Sequence, residues 1–137
     1  IGKSIKEDNC ELIIEDIFKI SETHSCSIIY PEDVLVGKNM EDQSQIKELK
    51  EITSDDVILD IGPKTLDKIK NIIETSKTVL WNGPAGYFEN PSFANGSYEI
   101  AKQLSGTQSI TTLPGVLDNP YPLSYGQKLT NPRRLTP

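Results

Sequence analysis

The sequence predicts an α/β fold in which short parallel strands are joined by helices. Three observations predict it. Residues 56–81 read as strand, Gly-Pro, helix, strand, a βαβ unit that implies neighbouring parallel strands and a right-handed crossover. A second helix followed by a strand reads over 91–112. The composition, 36% hydrophobic and 25% charged over 137 residues, is that of one ordinary globular domain.

Ile1 to Ile5 form a lead-in. Its Gly2-Lys3-Ser4 is not expected to be a phosphate-binding P-loop, because that motif has an earlier Gly and a strand before it, and neither is among these residues, although a truncation would remove both. Asp8 is a suitable N-cap, and Glu11 three residues on completes a capping box. Leu12, Ile13, Ile17 and Ile20 share one face with Phe18 beside them, which predicts an amphipathic helix over 9–22. Ser25 to Tyr30 reads as a buried strand, ended by Pro31. Val34-Leu35-Val36 is a second strand after a tight Pro-Glu-Asp turn.

Periodicity leaves the charged stretch 40–56 open: Ile46, Leu49 and Ile52 have helical spacing, while Ile46 and Ile52 also fit strand alternation. Asp56 to Ile61 is a strand carrying Val57-Ile58-Leu59. Gly62 then caps, and Pro63 opens, a helix over 63–76, since the first helical position needs no N–H donor. Leu66, Ile69, Ile72 and Ile73 form its inward face, and its N-terminus is a place that attracts anions. Thr78 to Trp81 is the next strand. Pro91 and Ser92 lead a helix over 91–104 that turns Phe93, Ile100, Ala101 and Leu104 inward, with Gly106 as its stop. Gln108 to Thr112 is a further parallel strand.

The strand at 78–81 runs straight into Asn82-Gly83-Pro84-Ala85-Gly86-Tyr87-Phe88-Glu89. Two glycines and a proline let a backbone turn sharply and lie close to a ligand. In an open α/β sheet ligands sit beyond the carboxyl ends of the strands. A ribose or base is therefore expected at this turn, with Asn82 and Glu89 at its edges; a plain strand-to-loop connection with a surface Asn and Glu is the competing reading. His24, the only histidine, has no nucleophile beside it and no ligand at metal spacing, and reads as a surface loop residue. Cys10 and Cys26 also lack metal spacing and read as two reduced thiols. No metal site is expected from the residues.

Charge and hydropathy narrow the class. A net charge of −6 argues against binding nucleic acid or an anionic membrane through a basic surface. No apolar run approaches the ~18–20 residues of a membrane span, and the first residues show no signal-peptide pattern. The expectation is a cytoplasmic protein. The composition changes abruptly near residue 112. Residues 1–112 hold 17 Ile and no Arg, whereas 113–137 hold no Ile, both arginines and five of the nine prolines. The chain accordingly divides into a partial nucleotide-binding α/β domain over 1–112 and a proline-rich, divergent tail over 113–137 that is expected to be disordered.

Trp81-Asn82-Gly83-Pro84-x-Gly86-x-Phe88-Glu89 resembles the signature of the nucleotide-binding half of phosphoglycerate kinases. Asp60-Ile61-Gly62-Pro63, one helix earlier, is similar to that family's Asp-x-Gly-Pro segment, and Pro31-Glu32-Asp33-Val34 to its Pro-x-Asp-Val. The resemblance runs from about Ile1 to about Ser109. It implies an incomplete Rossmann-like, three-layer parallel sheet, with a short antiparallel edge strand at 45–49 and an irregular tail. It implies ATP or ADP with Mg2+ as ligand, with Asn82, Gly83 and Pro84 lining the nucleoside pocket and Glu89 accepting from the ribose. By family, the reaction is phosphoryl transfer between 1,3-bisphosphoglycerate and ADP.

The match then fails where the chemistry is concentrated. The family's Gly-Gly-Gly-Asp phosphate loop should follow the strand ending at 112, and Thr112-Leu113-Pro114-Gly115-Val116 stands there instead. The later Ser-Thr-Gly-Gly-Gly segment and the N-terminal, phosphoglycerate-holding domain are absent from these residues too. The expectation is a truncated family member, inactive alone, with no catalytic residue of its own. Its partners would be a nucleotide and a separate chain supplying the missing domain. A non-catalytic nucleotide-binding or interaction module, and a decayed product without function, are the alternatives.

Overall fold

The computed structural model describes residues 2–5, 8–107 and 110–112. The elements are helix α1 (Glu11–Thr23), strands β1 (Asp33–Gly37), β2 (Gln45–Glu48) and β3 (Val57–Ile61), helix α2 (Pro63–Thr75), strand β4 (Thr78–Leu80), helix α3 (Asn95–Gly106) and strand β5 (Ile110–Thr112). Short 3-10 turns cover Leu49–Glu51 and Pro91–Phe93. The fold is α/β, as the sequence predicts.

The strands form two separate sheets. One is antiparallel with order β2-β1-β3, and the other is the parallel pair β4-β5. β2 is the antiparallel edge strand expected at 45–49, pairing Asp33 with Glu48 through Val36 with Gln45. The expected parallel neighbours β3 and β4 do not pair among the described residues. One edge of β3 is taken by β1, with an irregularity between Leu35 and Val36. Its other edge meets chain that is not a strand: Ile58 N–H donates to Ser4 Oγ at 2.8 Å, and Tyr87 N–H to the Leu59 carbonyl at 2.7 Å. With both edges used, β3 has no ladder left for β4. The predicted Rossmann-like sheet is thus reduced, among the described residues, to β4-β5.

Two further expectations are corrected. Residues 25–30 form no strand. Ser25 takes positive φ (52°), and Ile29 and Tyr30 stay exposed, because among the described residues no strand pairs with them to bury their side chains or receive their hydrogen bonds. The capping box at Asp8 and Glu11 does not form either. Positive φ at Asn9 (60°) turns the chain, so that Cys10 becomes the N-cap, without a side-chain cap bond.

The remaining boundaries follow local chemistry. α2 starts at Pro63 after Gly62, as expected. The predicted helix over 91–104 is split: Asn90 Oδ1 accepts from Ser92 N–H at 2.9 Å and sets a 3-10 turn, and α3 begins only after Ala94. Gly106 is the last residue of α3, with Thr107 as its cap. The strand expected over 108–112 is seen at Ile110–Thr112. The tail expected over 113–137 lies outside the described residues.

Two apolar clusters hold the body. Leu66 and Ile73 of α2 meet Ile100 and Leu104 of α3, with Ile61, Ile69, Val79, Trp81 and Ala85 around them. Leu35, Leu59 and Phe93 form the second, joined by Val57 and Tyr87. Lys70 Nζ reaches Glu99 Oε2 at 2.8 Å and ties α2 to α3. Trp81 and Ala85 belong to the first cluster and Tyr87 to the second, so the loop after β4 is fastened across both.

Candidate functional site

The loop after β4 is fixed by its backbone. Ala85 N–H donates to Ser97 Oγ of α3 at 2.9 Å, and Tyr87 N–H to the Leu59 carbonyl of β3. Phe88 N–H donates to the Gly86 carbonyl at 2.9 Å, and Asn90 N–H to the Tyr87 carbonyl at 3.2 Å. Asn90 then spans to the 38–42 loop, its Nδ2 donating to the Met40 carbonyl at 2.8 Å and the Asp42 carbonyl at 3.1 Å.

The four residues expected to bind lie at the outside of this fixed loop. Asn82, Pro84 and Glu89 are exposed, and Gly83 is half-buried. The two glycines have different reasons. Neither takes positive φ; Gly2 is the glycine that does, among the described residues. A Cβ on Gly86 would press on the Asp60 carboxylate and lie 2.6 Å from the Leu59 carbonyl oxygen, whereas one on Gly83 would meet nothing within 4 Å. Gly86 is therefore required by packing within the chain, and Gly83 is not.

Asp60 is the buried group behind this loop, 2% exposed. Its Oδ2 accepts from Gly96 N–H at 2.9 Å and its Oδ1 from Ile61 N–H at 2.8 Å. Burial pushes its carboxyl above the ordinary value, against the pull of those two N–H groups.

The anion site expected at the start of α2 is filled from within the chain. Asp33, 1% exposed, accepts from Thr65 N–H at 2.8 Å and Lys64 N–H at 3.0 Å. Thr65 Oγ1 lies 2.8 Å from Asp33 Oδ1 and accepts from Glu32 N–H at 2.9 Å. Burial opposes ionisation of Asp33, yet the N–H groups of Thr65 and Lys64, the Thr65 hydroxyl and the Lys64 charge outweigh it and hold its carboxyl below the ordinary value. Gly62 is needed because a Cβ there would lie 2.5 Å from Asp33 Oδ2. The Asp-x-Gly-Pro and Pro-x-Asp-Val segments are thus two halves of one helix cap.

Asp56 is a third buried carboxylate, held by Lys47 Nζ at 2.7 Å, Lys38 Nζ at 3.3 Å and Thr53 N–H at 2.7 Å. The Lys47 bond foremost, then that of Thr53, keeps its carboxyl far below the ordinary range. Sequence reading missed the roles of Asp33, Asp60, Asn90 and Ser97. The signal for Asp60 was present, since it is an acid inside an apolar strand, where a charge must find partners; Asp33 reads as part of the turn before its strand. Among the described residues no cluster of three or more His, Cys, Asp or Glu is placed to hold a metal ion. A surface hollow of about 790 Å³ lies at Lys3–Ile5, Lys38–Glu41 and Val57–Leu59; it includes none of Asn82, Gly83, Pro84 or Glu89.

A family model described as phosphoglycerate kinase matches residues 1–119. The phosphoglycerate kinase of Wolbachia sp. subsp. Brugia malayi is 40% identical over 118 residues, which cover 85% of this chain and 30% of that protein. That of Dictyoglomus turgidum is 33% identical over 117 residues, 84% of this chain and 30% of that protein. The solved phosphoglycerate kinase of Coxiella burnetii is similar with a TM-score of 0.78 at 27% identity, over 82% of this chain and 30% of that one. The chain therefore spans about 30% of the length of the relatives it matches.

Proposed function

The chain belongs to the phosphoglycerate kinase family, and from that premise we propose that its 82–89 loop holds the nucleoside part of ADP or ATP. Asn82, Gly83 and Pro84 line the nucleoside and Glu89 accepts from the ribose hydroxyls. One observation carries the reading. The loop is pinned from behind at Ala85, Gly86 and Tyr87, while Asn82, Pro84 and Glu89 stay exposed and the space beside Gly83 is open. A rigid backbone with polar groups held outward is what a preorganised site requires.

Phosphoryl transfer depends on positioning and on charge laid against the moving phosphoryl group. These residues supply little of that: arginine occurs only at Arg133 and Arg134, and Gly-Gly-Gly-Asp does not occur. Mg2+ would arrive on the nucleotide phosphates, since the described residues build no metal centre. The 137 residues are therefore the nucleoside-holding portion of a glycolytic transferase, inactive by themselves, with 1–112 a partial Rossmann-like nucleotide domain and 113–137 a separate tail. The setting is cytoplasmic. A separate chain that carries the rest of the family's length is the partner this reading calls for, and the exposed apolar side chains of α1 favour it.

Titration of the purified chain with Mg-ADP, followed by the emission of Trp81, tests the site. Trp81 is the only tryptophan and directly precedes the loop. A saturable change is expected, lost in Glu89→Ala and in Asn82→Ala. A flat titration of the unmodified chain would overturn the reading.

A further inference from the structure

Asp60 is a buried charge that the proposed nucleotide contacts do not use, and three elements converge on it. It stands in β3. Its Oδ2 takes the Gly96 N–H at the head of α3, a position that favours a negative group because the first N–H groups of a helix are unsatisfied and carry its positive end. The third element is the loop itself: a Cβ on Gly86 would collide with Asp60 Oδ1, and so would a Cβ on Gly96. One side chain thus accounts for two glycines in two elements. The bonds on either side extend the same joint. Leu59, next to Asp60, accepts from Tyr87 N–H, and Ser97, next to Gly96, accepts from Ala85 N–H.

We infer that Asp60 is a positioning residue for the nucleoside loop, its carboxylate bridging the head of α3 and seating Gly86 so that residues 82–89 are held in one conformation. The idea rests on the proposed nucleotide site, which it deepens. A group kept only for stability would not be expected in this form. Burial disfavours the ionised carboxyl, so a neutral side chain of the same shape relieves a cost while losing one of the two N–H bonds. Loop order and overall stability should therefore separate when the charge is removed.

The test is Asp60→Asn in the full chain, read by amide hydrogen exchange, thermal unfolding and Mg-ADP titration together. Exchange at Gly96, Ala85 and Tyr87 is expected to quicken by at least about tenfold, the equivalent of one lost charge-assisted hydrogen bond. Leu66 and Ile73 in α2 should change less than about twofold, and Tm should move by less than about 4 °C. Affinity for Mg-ADP should fall by about tenfold or more with the loop. Unchanged exchange at Ala85 and Tyr87, or equal quickening in α2, would overturn the assignment. If the variant does not fold, the unmodified chain decides: Gly96 and Tyr87 amides exchanging at free-chain rates would also overturn it. An unmodified chain that ignores Mg-ADP defeats the proposed function alone, because the exchange result stands without nucleotide.

Discussion

At the scale of single residues, the chain places carboxylates where they do structural work on backbone N–H groups. Asp33 is the clearest. It satisfies two donors at the start of α2, and Gly62 and Thr65 have the shapes they do because of it. Asp33→Asn should cost about 1–2 kcal/mol, the size of a lost helix cap, measured by denaturant unfolding. The pH dependence follows from the sign of the shifts. Asp33 and Asp56 are both held below the ordinary carboxyl value in the folded chain, so the unfolded chain binds more protons in acid. Their stabilisation is present above about pH 4 and lost as pH falls through and below that value. Asp60 has the opposite shift and contributes the opposite slope, losing stability as pH rises from the unfolded value through its raised folded one. Tm measured from pH 6 to pH 2 should fall steeply, and Asp33→Asn should flatten that fall; equal slopes in both proteins would refute the role given to Asp33.

At the scale of elements, α1 differs from the two other helices. α2 and α3 bury Leu66, Ile73, Ile100 and Leu104 against each other, whereas Leu12, Ile13, Ile17, Phe18 and Ile20 of α1 are all exposed, Leu12 at 75%. An isolated helix of this length is marginal in water, so α1 adds little to the stability of the body. Ile17→Ser should change that stability by no more than about 0.5 kcal/mol, while Ile73→Ser, at a fully packed position, should cost about 3 kcal/mol or more. Thermal or denaturant unfolding checks both. A loss from Ile17→Ser as large as from Ile73→Ser would mean that α1 is packed on the body after all.

At the scale of the whole molecule, the chain has the connectivity of an α/β domain, but its described residues do not form one continuous sheet. Two sheets of three and two strands stand where a doubly covered parallel sheet would give both faces a helix layer. These residues correspond to about 30% of the length of their relatives, and residues 1–132 contain no arginine. The purified chain should therefore show no turnover of ATP with 3-phosphoglycerate in a coupled assay. Near-normal turnover would sink the view that it needs a second chain.

How much was legible differs with the range of the interaction. The bounds of α2 were readable to within a residue, because Gly62-Pro63 and the spacing of Leu66, Ile69 and Ile73 are local signals, but Ile72, also expected on the inward face, is 41% exposed. So was β2, once alternation and its charged pattern were set beside the family resemblance. The 82–89 loop was readable as a turn, since its glycines and proline lie within four residues. The strand expected at 25–30 was not, because a strand exists only with a neighbour, and the sequence of Ser25 to Tyr30 says nothing about whether one is beside it. The capping box at Asp8 failed for a related reason: a spacing of three was present, but the backbone at Asn9 turned the chain away from it.

The sequence by itself determined the α/β class, the family, the helix α2, the presence but not the bounds of α3, and the position of the candidate loop, all of which depend on patterns spanning a few residues. Only the tertiary structure decided which charges are buried and why particular glycines are needed. Asp33 and Gly62 are 29 residues apart in the chain, and Asp60 and Gly96 are 36 apart. A carboxylate finds its N–H partners, and a glycine its crowding neighbour, only when folding brings distant segments into contact, and no local pattern carries that distance.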